Sequence, residues 1–300
     1  MYDICCVGHI TIDRVITPRS SVIMPGGTAL YFSSAMRQAD LSYLLATSLA
    51  ETEMHFVNDL RDQHIEVKVV GHSIKTVYFE NHYEQDQDHR KQRVLQMADP
   101  FRAQDFIGLR AQYFHLGPLL ADDIPVNMIK ALSSQGKVSL DVQGFLRKVV
   151  DQQVIPVDWP DKKEALQYVT VLKANELEME VLTGSSDVKT AIRILHDWGV
   201  KEVVITLGSR GSIIYNGSRF YQIPAYNPLT AVVDATGCGD TYMAGYLYQR
   251  IKGEGYRESG EFAAAMATLK IESSGPFKGS MADIQSLLVN SGARAVFGIY

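Results

Sequence analysis

Val232-Val233-Asp234-Ala235-Thr236-Gly237-Cys238-Gly239-Asp240-Thr241 is an extended segment that turns through two glycines and enters a helix-like run, Tyr242 to Lys252. The first-turn N–H groups of such a helix have no partner within it. Together with the helix dipole they favour an anion at that end. Gly237 and Gly239 let the backbone approach the anion without a Cβ in the way. Asp240 falls beside the same place. A carboxylate repels an anion and so does not anchor one, but it suits a base that takes a proton from an attacking hydroxyl. The backbone amides would then stabilise charge developing on a transferred group. The same spacing also fits a plain N-cap aspartate behind a glycine-shaped turn.

Outward from this stretch, short apolar runs alternate with helix-like segments. Ile4 to Val7, Tyr113 to Leu116, Val138 to Val142, Val169 to Lys173 and Val203 to Leu207 read as buried strands. Ala29 to Gln38, Ile124 to Ser134, Asp187 to Trp198 and Thr241 to Lys252 read as helices. This alternation predicts an α/β domain of three layers, with a mainly parallel central sheet covered on both faces. Two stretches, about 14–24 and 67–98, are β-rich without helical periodicity. By pattern alone they fit a small projecting sheet or a pair of surface hairpins. The basic run His89 to Arg93 reads as a solvated edge.

The 300 residues are 46% hydrophobic, enough for one large core over 1–300. A formal net charge of −5 excludes a nucleic-acid coat, which needs concentrated Lys and Arg. Cys5, Cys6 and Cys238 have neither the number nor the spacing of a disulfide framework or a zinc site. Met1 to Val7 reads as a first strand rather than a leader, and no apolar run has membrane-spanning length. A cytoplasmic protein is expected, without nucleic-acid or membrane partners. The dinucleotide fingerprint is absent: the first strand ends in Gly8-His9-Ile10-Thr11-Ile12-Asp13, with a single glycine. The P-loop, HExxH and GxSxG patterns are absent too, so a phosphate site must be built another way.

Asp234 to Asp240 (DATGCGD) resembles the DTxGAGD signature of the ribokinase/PfkB family of carbohydrate kinases, with Ala235 for the usual Thr and Cys238 for the usual Ala. Both replacements are small, so the turn should survive. The resemblance spans nearly the whole chain. It implies a ribokinase-like fold with a β-sheet lid and transfer of the γ-phosphate of MgATP to a hydroxyl of a small sugar or polyol. Asp240 is implied as catalytic base and the amides of Gly237, Cys238 and Gly239 as the anion hole.

Other segments follow the family's order. Asn175 and Glu178 form an N-x-x-E pair that is also a plausible capping box. The resemblance places Asn175 at the nucleotide and Glu178 at Mg²⁺, through water. Thr206, Gly208 and Gly211 match a T-x-G-x-x-G segment lining the ATP site, although a hairpin turn explains the glycines locally. Asp13, past the first strand, is placed at the acceptor sugar, where a carboxylate can accept from two neighbouring hydroxyls. Gly26 and Gly27 resemble the glycine pair that admits substrate to the backbone. Tyr31 stands where sugar-specific members carry Asn, and reads as a ring-stacking wall. Asp141 to Arg147 (DVQGFLR) resembles a D-x-Q-x-x-x-R found in polyol- and inositol-kinase-like branches, without an assigned role. Residues 272–279 match a stretch near the adenine and, in some members, a monovalent cation. A homodimer through the lid is expected by the same resemblance. The alternatives are a nucleoside kinase of this fold and a non-catalytic sugar- or nucleotide-binding regulator.

Overall fold

In strand β1 (Tyr2–Val7), Ile4 and Cys6 belong to one apolar cluster, while Cys5 and Val7 belong to another. A strand with both faces buried must lie inside a sheet covered on both sides. The computed structural model describes residues 1–17, 20–71, 73–83 and 90–291 and bears this out. Nine strands form the large sheet in the order β15 (Phe220–Ile223), β14 (Ser212–Tyr215), β13 (Glu202–Thr206), β12 (Val171–Asn175), β9 (Lys137–Asp141), β8 (Ala111–Leu116), β1, β4 (Tyr43–Thr47) and β5 (Val67–Val69). From β13 to β5 every neighbour is parallel; β14 and β15 close one edge as an antiparallel hairpin.

One face of the sheet is covered by α1 (Gly27–Met36), α2 (Met54–Asp62), α7 (Cys238–Ile251), α8 (Tyr256–Ile271) and α9 (Met281–Ser291). The other carries α3 (Val126–Ser133), α4 (Lys162–Ala165), α5 (Glu176–Thr183) and α6 (Val188–Asp197). The five strands and four helices expected from the sequence all appear, with ends displaced by about a turn or less.

A second sheet of six strands runs β10 (Arg147–Val150), β11 (Gln153–Pro156), β7 (Arg90–Gln96), β6 (Val77–Tyr83), β2 (Thr11–Thr17) and β3 (Ser20–Gly26). Val77, Phe79 and Val94 share an apolar cluster with Leu119 and Leu120, just past the end of β8. The β-rich stretches therefore form a sheet rather than separate hairpins, but with two changes of membership. Val67–Val69 pairs with β4 at the edge of the large sheet, not in the small one. A three-residue strand carries no mark of which sheet it joins, and burial of Val67 beside Leu45 decides it. The hairpin of β10 and β11 belongs to the small sheet and has no glycine at its turn. Asp151 and Gln152 both take positive φ (48° and 65°), the geometry that such turns usually assign to Asn-Gly.

Phe114 lies at the centre of the α3-side core and is wholly buried. Phe114→Ala should cost ~3–5 kcal/mol of unfolding free energy in urea. A loss below about 1 kcal/mol would show that this face closes around cavities rather than packing densely.

Candidate active site

The parallel strands of the large sheet deliver their carboxyl ends to one rim, where open α/β sheets place ligand groups. Gly8 follows β1, Asp141 ends β9, Asn175 ends β12 and Thr206 ends β13. The N-terminus of α7 arrives at the same rim. Its N-cap is Gly237 in the left-handed region (φ 75°, ψ 6°), and no side chain caps it. Asp240 is therefore inside the first turn and is not the N-cap. A Cβ at Gly237 would lie 2.0 Å from the Tyr31 ring, so both the backbone conformation and the close approach require glycine.

Asp240 keeps partial access to solvent, yet its carboxyl titrates far above the ordinary carboxylate range, at about 7. Burial is the largest cause, and the Asp141 charge adds to it; Lys173, a hydrogen bond from Thr28 and Arg147 oppose it. A carboxyl poised near neutrality, beside helix-terminal amides that no side chain caps, has the properties of a general base.

Lys173 explains why several carboxylates can share this rim. It is 5% exposed, and its Nζ donates to Asp141 Oδ2 at 2.9 Å and lies 4.0 Å from Glu178 Oε2. A Cβ at Gly239 would come within 2.9 Å of the same Nζ. Burial alone would lower its pKa, but Asp141 and Glu178 hold it raised, so the ammonium stays charged. Glu178 shifts upward, because desolvation outweighs the pull of Lys173. Arg147 acts on both Glu178 and Asp240. Asp141 and Arg147 of the unassigned DVQGFLR segment thus belong to the rim.

The segments expected at an acceptor lie beside Asp240. Thr11 Oγ1 donates to Asp13 Oδ1 at 2.6 Å. A Cβ at Gly26 would meet Asp13 Oδ2 at 2.5 Å, and one at Gly27 (φ 84°) would meet the His9 carbonyl at 2.5 Å. Gly26 and Gly27 lead directly into Thr28, the Asp240 partner. Asp13, the glycine pair and Asp240 are therefore joined through one chain of contacts. Tyr31 departs from its expected place. It is 4% exposed, with its ring under Gly237 and the Lys270 ammonium 5.9 Å from its centroid. A ring buried this way supports the glycine turn and offers no face for stacking a ligand.

On the other side, Asn175 and Glu178 make the full capping box of α5, with Asn175 N–H donating to Glu178 Oε2 at 2.8 Å and Glu178 N–H to Asn175 Oδ1 at 2.9 Å. Thr206 pairs in register with Asn175 and donates to the Ala174 carbonyl at 3.5 Å. Gly208 (φ 59°) and Gly211 (φ 88°) shape the turn between β13 and β14, where a Cβ at Gly211 would strike the Ile223 carbonyl at 2.1 Å. Arg210, on that turn, pairs with Glu176 of α5.

Sequence reading missed Lys173, Thr28 and Lys270 as parts of the site. The signal for the two lysines was present: each is a cation inside an otherwise apolar element, Val169 to Ala174 and Phe262 to Ile271. Among the described residues no three His, Cys, Asp or Glu side chains gather to hold a metal, and no helix is long and apolar enough to cross a membrane.

Comparison with known proteins bears on the family and the fold. A family model described as "pfkB family carbohydrate kinase" matches residues 58–281. The cytidine kinase of Thermococcus kodakarensis is 29% identical over 264 residues, covering 82% of this chain and 88% of the relative. A pyrophosphate-dependent kinase of the ribokinase family, solved with a pyrophosphate analogue and myo-inositol, superposes with a TM-score of 0.84 at 26% identity, over 94% of this chain and 99% of that one. Arabidopsis thaliana ribokinase, solved with ribose and ATP, shares the fold with a TM-score of 0.79 at 22% identity, over 96% and 98% of the two chains. A glycine turn on a helix N-terminus, a carboxyl poised near neutrality beside it and a family match over most of the length agree: this chain belongs to the pfkB family of carbohydrate kinases, phosphotransferases of the ribokinase fold.

Proposed function

We propose that this chain transfers the γ-phosphoryl group of MgATP to a hydroxyl of a neutral polyol or sugar, with Asp240 as the base. The observation that carries this reading is the Asp240 carboxyl, held at about 7 in the first turn of α7 beside amides that no side chain caps. In the proposed reaction Asp240 takes the proton of the attacking hydroxyl, and the amides of Gly237, Cys238 and Gly239 receive the charge that develops on the transferred group. Asp13, braced by Thr11, orients the acceptor, whose ring approaches the backbone at Gly26 and Gly27. Asn175, Thr206, Gly208 and Gly211 line the nucleotide side. A Mg²⁺ ion would be carried mainly by phosphate oxygens and water, with Glu178 reaching it through water, which suits a hard cation that keeps part of its hydration shell. Its chemistry would be to neutralise charge on the donor phosphates.

A neutral acceptor is favoured over a sugar phosphate because the acceptor segments, Gly8 to Asp13 and Pro25 to Tyr31, contain neither Lys nor Arg. Of the basic run on the small sheet, His89 and the side chains of Arg90 and Lys91 lie outside the described residues. Arg93 is engaged with Glu80 at 3.5 Å and with Gln152. A polyol is favoured over a nucleoside because Tyr31 is buried under the turn and offers no face on which a base could stack.

Asp240→Asn should retain ATP binding in calorimetry and lower kcat by at least ~10². The wild-type base is active when deprotonated, so kcat/KM should fall about tenfold per pH unit as the pH drops below about 7, and level off above. Near-normal turnover of the variant, or a flat profile through pH 6, would remove Asp240 from this role.

The acceptor assignment is checked by initial rates with inositols, free pentoses and hexoses, nucleosides and fructose phosphates, each with MgATP and with magnesium pyrophosphate. The highest kcat/KM is expected for a neutral polyol or sugar with MgATP, and Asp13→Ala should raise the KM for that acceptor while leaving ATP affinity nearly unchanged. A fructose phosphate preferred over every neutral compound would overturn the reading.

The small sheet is proposed as a lid that excludes water from the transfer and as the surface through which two chains pair. Val22 and Ile23 on its edge strand are 51% and 61% exposed. Amides of 77–83 and 90–96 should exchange more slowly with acceptor bound than without it, and sedimentation equilibrium should give a dimer. Unchanged exchange under a saturating active acceptor would reduce the sheet to a fixed surface.

A further inference from the structure

Lys270 is the buried cation that the reaction as described does not use. It stands in the last turn of α8 with 0% exposure. An ammonium taken out of water is costly unless it is paired and hydrogen-bonded. Both of its hydrogen bonds go to Asp234, the first residue of the glycine turn. Nζ donates to the Asp234 carbonyl at 2.7 Å and to Asp234 Oδ2 at 3.4 Å. The same carboxylate accepts from Thr236 N–H at 2.9 Å, through Oδ1, and from Gly275 N–H at 3.4 Å, through Oδ2. Burial by itself would raise the Asp234 pKa; the Thr236 bonds and the Lys270 charge bring it below the ordinary value, so the residue is a carboxylate. Lys270 also lies under the Tyr31 ring, on which Gly237 rests. One ammonium therefore holds the first residue of the turn by hydrogen bonds and reaches its pivot, Gly237, through the aromatic ring.

The family resemblance raises a monovalent cation near residues 272–279, and the residues present do not fit one there. Such an ion binds through carbonyl and carboxylate oxygens. Of the oxygens that Asp234 offers at this place, the carbonyl and Oδ2 already accept hydrogen bonds from Lys270, and Oδ1 accepts one from Thr236 N–H. A free cation would have to displace a tethered one, or sit beside it with like charges in contact.

We propose that Lys270 is a built-in cation for the phosphate-binding turn: a positioning residue that fixes Asp234 and, through Tyr31, Gly237, so that turnover needs no free monovalent cation. The proposal rests on the reading of residues 237–240 as the phosphate-binding turn. Lys270 does not touch the reacting atoms. It sets where the Gly237 to Gly239 amides point, and its charge lies beneath the turn that receives the anion.

The test uses the full-length protein in tetramethylammonium buffers of constant ionic strength, with KCl or NH₄Cl replacing part of the salt. For the wild type, kcat with MgATP and the melting temperature should both be indifferent to the replacement. Lys270→Ala removes the ammonium and leaves room for an ion. Its kcat should fall ~10–100-fold, as for the loss of a partner that orients a site group, with KM for the acceptor little changed. Potassium or ammonium should restore part of kcat and raise the melting temperature of this variant only. Lys270→Arg should keep more activity than Lys270→Ala. Activation of the wild type by potassium of tenfold or more would overturn the proposal, and needs no variant to fold. A folded Lys270→Ala with wild-type kcat would overturn it too, as would one whose lost activity and melting temperature ignore every added cation. Absence of turnover by the wild type in all salts with all acceptors would instead defeat the kinase reading.

Discussion

A single buried ammonium, Lys173, permits the rest of the site to exist. Asp141, Glu178 and Asp240 bring three carboxyl groups to one rim of the sheet, where burial and the Asp141 charge oppose ionisation of Glu178 and Asp240. Lys173 is placed among them by register alone: β12 and β9 are parallel, and Lys173 stands opposite Asp141. Removing one partner of such a buried group costs about 3–5 kcal/mol, because the other charge is left uncompensated. The strand register that builds the core therefore also fixes the electrostatics of the site, and neither can shift without the other. The outcome at Asp240 is a balance. Burial and Asp141 push its pKa up, Lys173 holds it back, and it settles at about 7, where a base keeps both a useful ionised fraction and a useful affinity for protons.

A second cation, Lys270, works on the opposite side of the same turn. Lys173 comes from the sheet and reaches Gly239, whereas Lys270 comes from α8 and reaches Asp234. The segment between them is short and rich in small residues, and it holds a left-handed glycine that no other residue could adopt without strain. Such a segment has little side-chain packing of its own. Its shape must be imposed from outside, and the Tyr31 ring, the two ammonium groups and the Thr28 hydroxyl impose it. This is also why Tyr31 is unavailable as a stacking wall: its face is already occupied by the turn.

What was legible in the sequence follows from which signals are local. The strand–helix alternation, the glycine turn of Asp234 to Asp240 and the capping box of Asn175 and Glu178 are each written in consecutive residues, and each appears, although α7 begins at Cys238 and so takes Gly239 and Asp240 into its first turn. The two-sheet arrangement was only partly legible. Val67–Val69 is too short to show its partner, and the turn at Asp151 and Gln152 carries no glycine to announce a hairpin. The burial of Tyr31 was hidden because an aromatic residue early in a helix looks alike whether its ring faces a ligand or a glycine. Lys173 and Lys270 were hidden for a related reason. A lysine in an apolar run is visible in sequence, but its meaning depends on carboxylates and carbonyls supplied from 32 and 36 residues away.

The charge pattern also bears on how the proposed reaction begins. On the proposed reading, a bound donor polyphosphate would add negative charge beside Asp240, which by itself favours the protonated carboxyl. The reaction then requires that positive charge arrive with the phosphates or move closer once they are bound. Lys173 is already engaged with Asp141 and Glu178, so it has little left to give. Arg147 begins β10, a strand of the small sheet, and its charge also acts on Asp240 and Glu178. Movement of the small sheet would therefore carry a cation along with it. On the proposed reading, closure over the acceptor and adjustment of the base are one event: the sheet that excludes water also brings the guanidinium that keeps Asp240 ionised beside the bound phosphates.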